Sequence, residues 1–134
     1  MQLVDTNVIS ELMRPAPNAG VADWSRLAVS TDAEIFVSVI TIDEVMYGLT
    51  RRPRGAALLL FERFLADTKV LPVTESVARR GGELRALHSL RGHVREQPDM
   101  LIAATAQVHA LTVVTRNVRD FEGCGIAILN PFSD

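Results

Sequence analysis

Three carboxylate side chains lie beside apolar segments that are predicted to be buried strands. Asp5 directly follows the first apolar pair of the chain, and Glu44 comes shortly after the apolar run 35–39. Asp99 opens the helix that precedes the apolar run 111–114. Because parallel α/β sheets bind ligands outside the carboxyl ends of their strands, we expect the three carboxylates to meet at one edge of a sheet.

Such a cluster needs protons or cations to neutralise it. Two like charges about 4 Å apart repel by roughly 4 kcal/mol at an effective dielectric constant near 20, whereas a whole domain is stable by only about 5–15 kcal/mol. An all-oxygen ligand set prefers a hard cation such as Mg²⁺ or Mn²⁺. A cation of this kind activates water and stabilises charge on a phosphate, so the cluster predicts metal-assisted phosphodiester hydrolysis.

Each acid also has a structural alternative. Asp5 could cap the helix that follows it, and Glu44 could complete a capping box with Thr41. Asp99 would lie in the first turn of a helix behind Pro98, where the helix dipole favours an acid. Taken singly, Glu44 and Asp99 fit these roles better than a catalytic one, and for Asp5 the two are balanced. The joint placement of the three acids favours chemistry, and on that hypothesis Asp5→Asn should abolish metal binding without loss of stability.

The composition fits one globular domain over residues 1–134. The chain has 48% hydrophobic and 22% charged residues, and its only cysteine, Cys124, excludes an intrachain disulfide and a cysteine metal cluster. The N-terminus lacks a basic segment followed by an apolar one, and the longest apolar run, 100–106, is far shorter than the roughly 18 residues of a membrane span. We therefore expect a cytoplasmic protein with no membrane contact.

The formal net charge of −2 excludes nucleic-acid binding by bulk attraction. Binding would need local basic groups, a metal site or a partner. Two groups of arginines are close in sequence, and they would be solvated surface, a site for an RNA backbone, or a site for an acidic partner segment; they are Arg51, Arg52 and Arg54, and Arg79, Arg80, Arg85, Arg91 and Arg95.

Other catalytic motifs are absent. The sequence contains neither a GxSxG element nor a glycine-rich nucleotide-binding loop. His88, His93 and His109 lack the spacing of metal ligands and are interpreted as surface or helix-packing residues.

Short β-branched segments alternate with helical patterns, which predicts an α/β domain with a mostly parallel sheet. The predicted strands are 3–4, 35–39, 70–73, 111–114 and 126–129. The predicted helices are 8–14, 18–27, 41–51, 56–66, 75–90 and 98–110. The pair Gly81-Gly82 is unfavourable inside a helix, so we expect a close backbone approach or a kink there.

Four segments together resemble the PIN-domain toxins of the VapC and FitB type. They are 3–11 (LVDTNVISE), 99–106 (DMLIAATA), 114–121 (VTRNVRDF) and 129–132 (LNPF). The resemblance covers essentially the whole chain, and the order and spacing of the segments make it specific. It implies a PIN-like three-layer α/β/α fold with a short, mostly parallel twisted sheet, and a homodimer, which the apolar helix 56–66 also favours.

The resemblance also assigns roles to residues. The family's three acids fall on Asp5, Glu44 and Asp99, which would hold the metal ion, and Asn7 and Thr115 match supporting polar residues. The fourth acidic position is occupied by Asn117, which is counted with the catalytic set. Asp120 lies three residues further on and could substitute for it, so the number of metal ions is open.

The function implied is that of a Mg²⁺- or Mn²⁺-dependent endoribonuclease, the toxin of a type II toxin–antitoxin pair. A cognate antitoxin would inhibit it and would carry the complex to operator DNA. One alternative is a PIN-like module that binds RNA or protein without catalysis, and Asn117 keeps this alternative open. Another is a phosphatase with Asp5 as nucleophile, which is disfavoured because the second aspartate of such enzymes is replaced by Asn7.

Overall fold

Five short strands form the centre of the computed structural model, which describes all residues from 1 to 134. They are β1 (Gln2–Val4), β2 (Ile35–Ser38), β3 (Lys69–Leu71), β4 (Thr112–Val114) and β5 (Ile128–Leu129). The strand order is β3-β2-β1-β4-β5, and every neighbouring pair is parallel. The chain leaves β1 first toward β2 and later returns to β4, so the topological switch point lies at the carboxyl ends of β1 and β4, where α/β proteins bind ligands.

Seven helices cover the two faces of this sheet. They are α1 (Thr6–Leu12), α2 (Ala19–Ser30), α3 (Val39–Arg51), α4 (Ala57–Ala66), α5 (Glu75–Leu90), α6 (Gln97–His109) and α7 (Val118–Phe121). Side chains of α1 to α4 pack on one face, and those of α5 to α7 pack on the other.

The strands supply both halves of the core because successive side chains point to opposite faces. Leu3 and Val113 pack with α5, α6 and α7, whereas Val4 and Val114 pack with α1, α3 and α4. All four side chains are completely buried. The predicted three-layer α/β/α architecture is confirmed, and the sheet is parallel throughout.

The start of α3 differs from the sequence prediction. Ser38 caps this helix, because its hydroxyl accepts a hydrogen bond from the Ile40 amide at 3.0 Å, and the helix therefore begins at Val39. Thr41 lies inside the helix with a fully buried hydroxyl that has no hydrogen-bond partner. The alternative interpretation of Thr41 and Glu44 as a capping box is wrong.

Several other boundaries also shift by a few residues. Helix α1 begins at Thr6 rather than at residue 8, because the Asp5 carboxylate accepts the Thr6 amide and caps it. Strand β3 ends at Leu71, and β5 is reduced to two residues. The predicted bounds of α5 are correct, and the helix predicted from residue 18 begins at Ala19, where the Asn18 side chain caps it.

The predicted close approach on α5 is found at Gly81. A Cβ atom there would lie 2.9 Å from Leu101 Cδ2 on α6, whereas one on Gly82 would meet nothing within 4 Å. The absence of a side chain at Gly81 therefore lets α5 and α6 pack closely.

No helix combines the length and the apolar character that a membrane span requires.

Candidate active site at the carboxyl edge of the sheet

Asp5 is the most buried acid of the molecule, with 4% of its surface exposed. It follows β1, and its carboxylate accepts hydrogen bonds from the Thr6 amide (2.8 Å), the Thr115 hydroxyl (2.8 Å) and the Asn7 side-chain amide (3.1 Å). Burial raises the pKa of this carboxyl above its usual range. The three hydrogen bonds lower the pKa, because they stabilise the ionised form, but burial has the larger effect. The Asp5 carboxylate is thus held in one orientation at the switch point.

Asn7 and Thr115 form a bridge across the two central strands. The Asn7 amide group also contacts the Thr115 hydroxyl at 3.2 Å, and its carbonyl oxygen accepts the Arg116 amide at 2.9 Å. Asn7 and Thr115, which the sequence predicts as supporting residues, therefore both contact Asp5 directly.

Glu44 is brought to the same edge by α3. Its carboxylate accepts a hydrogen bond of 2.7 Å from the hydroxyl of Thr6, the residue that follows Asp5. Burial, together with the nearby negative charges of Asp5 and Asp43, raises the pKa of Glu44 despite this hydrogen bond. The sequence prediction did not include Thr6 in the site, although its place beside Asp5 was a signal for it.

Asp99 lies half-buried in the first turn of α6. Burial, followed by the charges of Asp5, Asp120 and Glu44, raises the pKa of Asp99 to about 7. Since a charge acts on a pKa only over a short range, Asp99 lies near enough to Asp5, Asp120 and Glu44 for their charges to act on it.

Asn117 and Asp120 are placed differently. The Asn117 side chain is exposed and makes no hydrogen bond, although its backbone amide donates to Thr115 Oγ1 at 3.0 Å. The charge of Asp120, on α7, raises the pKa of both Asp5 and Asp99. Of the two residues, Asp120 is therefore the one that contributes negative charge to the site.

The donor set fits a hard divalent cation in kind. All candidate ligands are carboxylate oxygens, which Mg²⁺ and Mn²⁺ prefer. As they stand, however, no three acidic, histidine or cysteine side chains are close enough to hold one ion. The Asp99 side chain has no hydrogen bond that fixes it, so a shared ion would require movement of Asp99 or Glu44 toward the fixed carboxylate of Asp5.

The fold and the site together define a small α/β protein with an acidic cluster at the switch point of a parallel sheet. The model of the PIN domain family matches residues 3–123, and the chain belongs to this family.

The chain is similar over its whole length to proteins of known type. It is 36% identical to the toxin FitB of Neisseria gonorrhoeae, with all of both chains covered. It is 33% identical to the VapC ribonuclease Y4jK of Sinorhizobium fredii, with 98% of each chain covered. A solved structure of FitAB bound to a DNA fragment superimposes with a TM-score of 0.87 at 31% identity, covering 100% of this chain and 97% of that one. Other matching structures include a toxin–antitoxin complex from Klebsiella pneumoniae, at 26% identity and a TM-score of 0.74 with all of both chains covered.

Proposed function

We propose that this chain is an endoribonuclease that uses Mg²⁺ or Mn²⁺ and acts as the toxin of a type II toxin–antitoxin pair. The observation that carries the proposal is the acidic edge of a PIN domain, where burial raises the pKa of Asp5, Glu44 and Asp99 and the charge of at least one nearby carboxylate adds to each shift. The names of the relatives, a toxin and a ribonuclease, support the same substrate class.

In this proposal Asp5, Glu44 and Asp99 hold the ion. When bound, the ion supplies a Lewis acid that lowers the pKa of water and stabilises charge on a phosphate oxygen. Thr115 and Asn7 orient the Asp5 carboxylate, and Thr6 orients that of Glu44. Asp99, with its pKa near 7, is only partly ionised at neutral pH, so loading of the site releases protons and becomes more favourable as the pH rises.

An antitoxin is the proposed partner, since the solved relatives include toxin–antitoxin complexes bound to DNA. A basic side chain of that partner would complement the carboxylates and inhibit the site. In this scheme, DNA is contacted through the antitoxin, because the chain itself has a net charge of −2. The chain is further proposed to act as a homodimer in the cytoplasm.

A non-catalytic PIN module is the second candidate. It is favoured by the exposed Asn117 side chain and by the lack of three side chains at ligating distance. A phospho-aspartate mechanism is disfavoured, because Asp5 is almost inaccessible and both its carboxylate oxygens accept hydrogen bonds.

The test is cleavage of a labelled RNA pool by the purified chain with Mg²⁺, with Mn²⁺ and with EDTA. Asp99→Asn should abolish cleavage, whereas the matched control Glu62→Gln, an exposed acid on α4, should cleave like the parent. Isothermal titration with Mg²⁺ separates the candidates. If Mg²⁺ binds with measurable heat and Asp99→Asn removes that heat, the result supports the nuclease. If the parent neither binds Mg²⁺ nor cleaves RNA, the result supports the non-catalytic module.

A further inference from the structure

A pocket of about 300 Å³ adjoins the acidic site and has Glu44 in its wall. It lies between α1 and α3 and ends at the segment that follows α3. Its lining includes Ser10, Glu44, Gly48, Arg52 and Arg54.

The pocket follows one side of α3. Glu44, Gly48 and Arg52 are spaced by four residues and therefore lie on the same side of the helix, over about 12 Å along its axis. At Gly48, a Cβ atom would meet nothing within 4 Å, so the absence of a side chain keeps the middle of the pocket open. An extended ligand could thus run from the acidic site to the end of α3.

The far end of the pocket carries two uncompensated cations. Arg52 and Arg54 are exposed, and neither guanidinium lies within 4.0 Å of a carboxylate. The neighbouring Arg51 differs, because it donates to the Tyr47 hydroxyl at 2.8 Å and stacks over the same ring. Arg52 and Arg54 make no such contact and are available for a ligand.

A polyanion needs such cations here. The acidic cluster repels phosphates, and the net charge of −2 provides no general attraction. A guanidinium group matches the oxygen geometry of a phosphate and can bind it through two hydrogen bonds. The Ser10 hydroxyl lines the opposite wall and offers a further donor.

We propose that this pocket is a phosphate-binding subsite for single-stranded RNA, in which Arg52 and Arg54 bind the backbone beside the phosphodiester that is cleaved. The inference rests on the proposed ribonuclease function. RNA is favoured over an acidic protein segment because Glu44 belongs both to the wall of the pocket and to the acidic site, so a strand in the pocket lies beside that site.

The test is binding of a fluorescent 12-nucleotide RNA pool to the full chain in EDTA, at several salt concentrations. The double variant Arg52→Gln/Arg54→Gln should bind about tenfold or more weakly, and its plot of log K against log salt should be shallower by about 1.4, since each phosphate contact in a single strand contributes about 0.7. Arg52→Lys/Arg54→Lys should restore most of the salt slope.

The matched control is Arg85→Gln/Arg91→Gln, which removes the same number of positive charges. Arg85 lies on α5 and Arg91 directly follows it, and both are exposed and have no ion-pair partner. Equal loss in this control would overturn the proposal in favour of bulk charge. Unchanged binding in the Arg52/Arg54 variant would also overturn it. Loss of binding to a polyglutamate peptide as large as the loss for RNA would assign the pocket to acidic protein segments instead.

Cleavage in Mg²⁺ distinguishes this inference from the function on which it rests. If the parent cleaves and the double variant has an unchanged KM, the subsite is refuted and the nuclease stands. If the parent never cleaves but the double variant loses RNA binding, the nuclease is refuted while the RNA contact stands. If the KM of the double variant rises by a larger factor than its kcat falls, the result supports both the subsite and the nuclease. Circular dichroism and the unfolding midpoint confirm that each variant is folded, and the single variant Arg54→Gln replaces any that is not.

Discussion

At the scale of single residues, Asp5 is both a site acid and a structural one. The sequence alone predicts that Asp5→Asn leaves the fold at least as stable, because it relieves repulsion. The hydrogen bonds revise this prediction, since both carboxylate oxygens accept from donors of the protein, namely Thr6, Asn7 and Thr115. In Asp5→Asn the new NH₂ group must face one of these donors.

We therefore expect Asp5→Asn to lower the free energy of unfolding by about 2 kcal/mol, the usual penalty for a buried polar group left without a partner. Urea unfolding in EDTA at pH 8 measures it. A variant as stable as the parent would show that relief of repulsion offsets the lost hydrogen bonds.

Asp99 should respond to substitution in the opposite direction. Its folded-state pKa of about 7 lies above the ordinary value of 3.8, so between these values the folded chain binds more protons than the unfolded one. The contribution of this group to stability is therefore present below about pH 4 and is lost as the pH rises to about 7.

In EDTA, the stability of Asp99→Asn relative to the parent should thus increase from pH 4 to pH 8. Urea unfolding at pH 4, 6 and 8 checks this expectation, with Glu62→Gln as the control that should show no such trend. A difference that is constant with pH would mean that Asp99 titrates normally and does not face the other acids.

At the scale of elements, the two adjacent glycines of α5 have unequal roles. Gly82 is exposed and has free space around it, whereas Gly81 is buried against Leu101 of α6. Helix propensity favours alanine over glycine by about 0.5–1 kcal/mol at either position, but only Gly82 can accept it without displacing a neighbour.

Gly82→Ala should therefore stabilise the protein by about 0.5–1 kcal/mol, and Gly81→Ala should gain less, because the Leu101 side chain must move. Thermal unfolding of the two variants side by side measures the difference. Equal gains would show that the contact between α5 and α6 is loose at this point.

At the scale of the whole molecule, the predicted homodimer depends on apolar side chains that one chain leaves exposed. Leu58, Leu59 and Leu60 of α4 have 48%, 52% and 40% of their surface accessible. Burial of such side chains is the usual driving force for association.

We expect light scattering of the purified chain to give a mass of about 29 kDa, twice the 14.7 kDa of one chain. Leu59→Glu should shift the mass toward one chain, and Leu90→Glu, at an isolated end of α5 with 84% exposure, should not. A dimer that survives Leu59→Glu would exclude α4 from the interface.

Much of the fold followed from the sequence because it depends on local rules. Apolar runs between turn residues located all five strands, and helical spacing of apolar residues located α5 at its observed bounds. The predicted start of α3 was wrong because Ser38 and Thr41 are both residue types that cap helices. The strand β2 ends in Ser38 and passes directly into the helix, so Ser38 is the cap. Local propensity does not decide between two such residues.

The sequence by itself determined that Asp5 and Glu44 follow β1 and β2 and that Asp99 opens the helix before β4. A parallel sheet then predicts that all three lie toward one edge. Only the tertiary structure decided that Asp120 lies close enough to add charge to the site, that Thr6 donates a hydrogen bond to Glu44, and that Arg52 and Arg54 share a pocket with that glutamate. These contacts join residues far apart in the chain or set the direction of a side chain. They depend on strand register and on the rotation of each helix about its axis, which the packing of the whole core fixes.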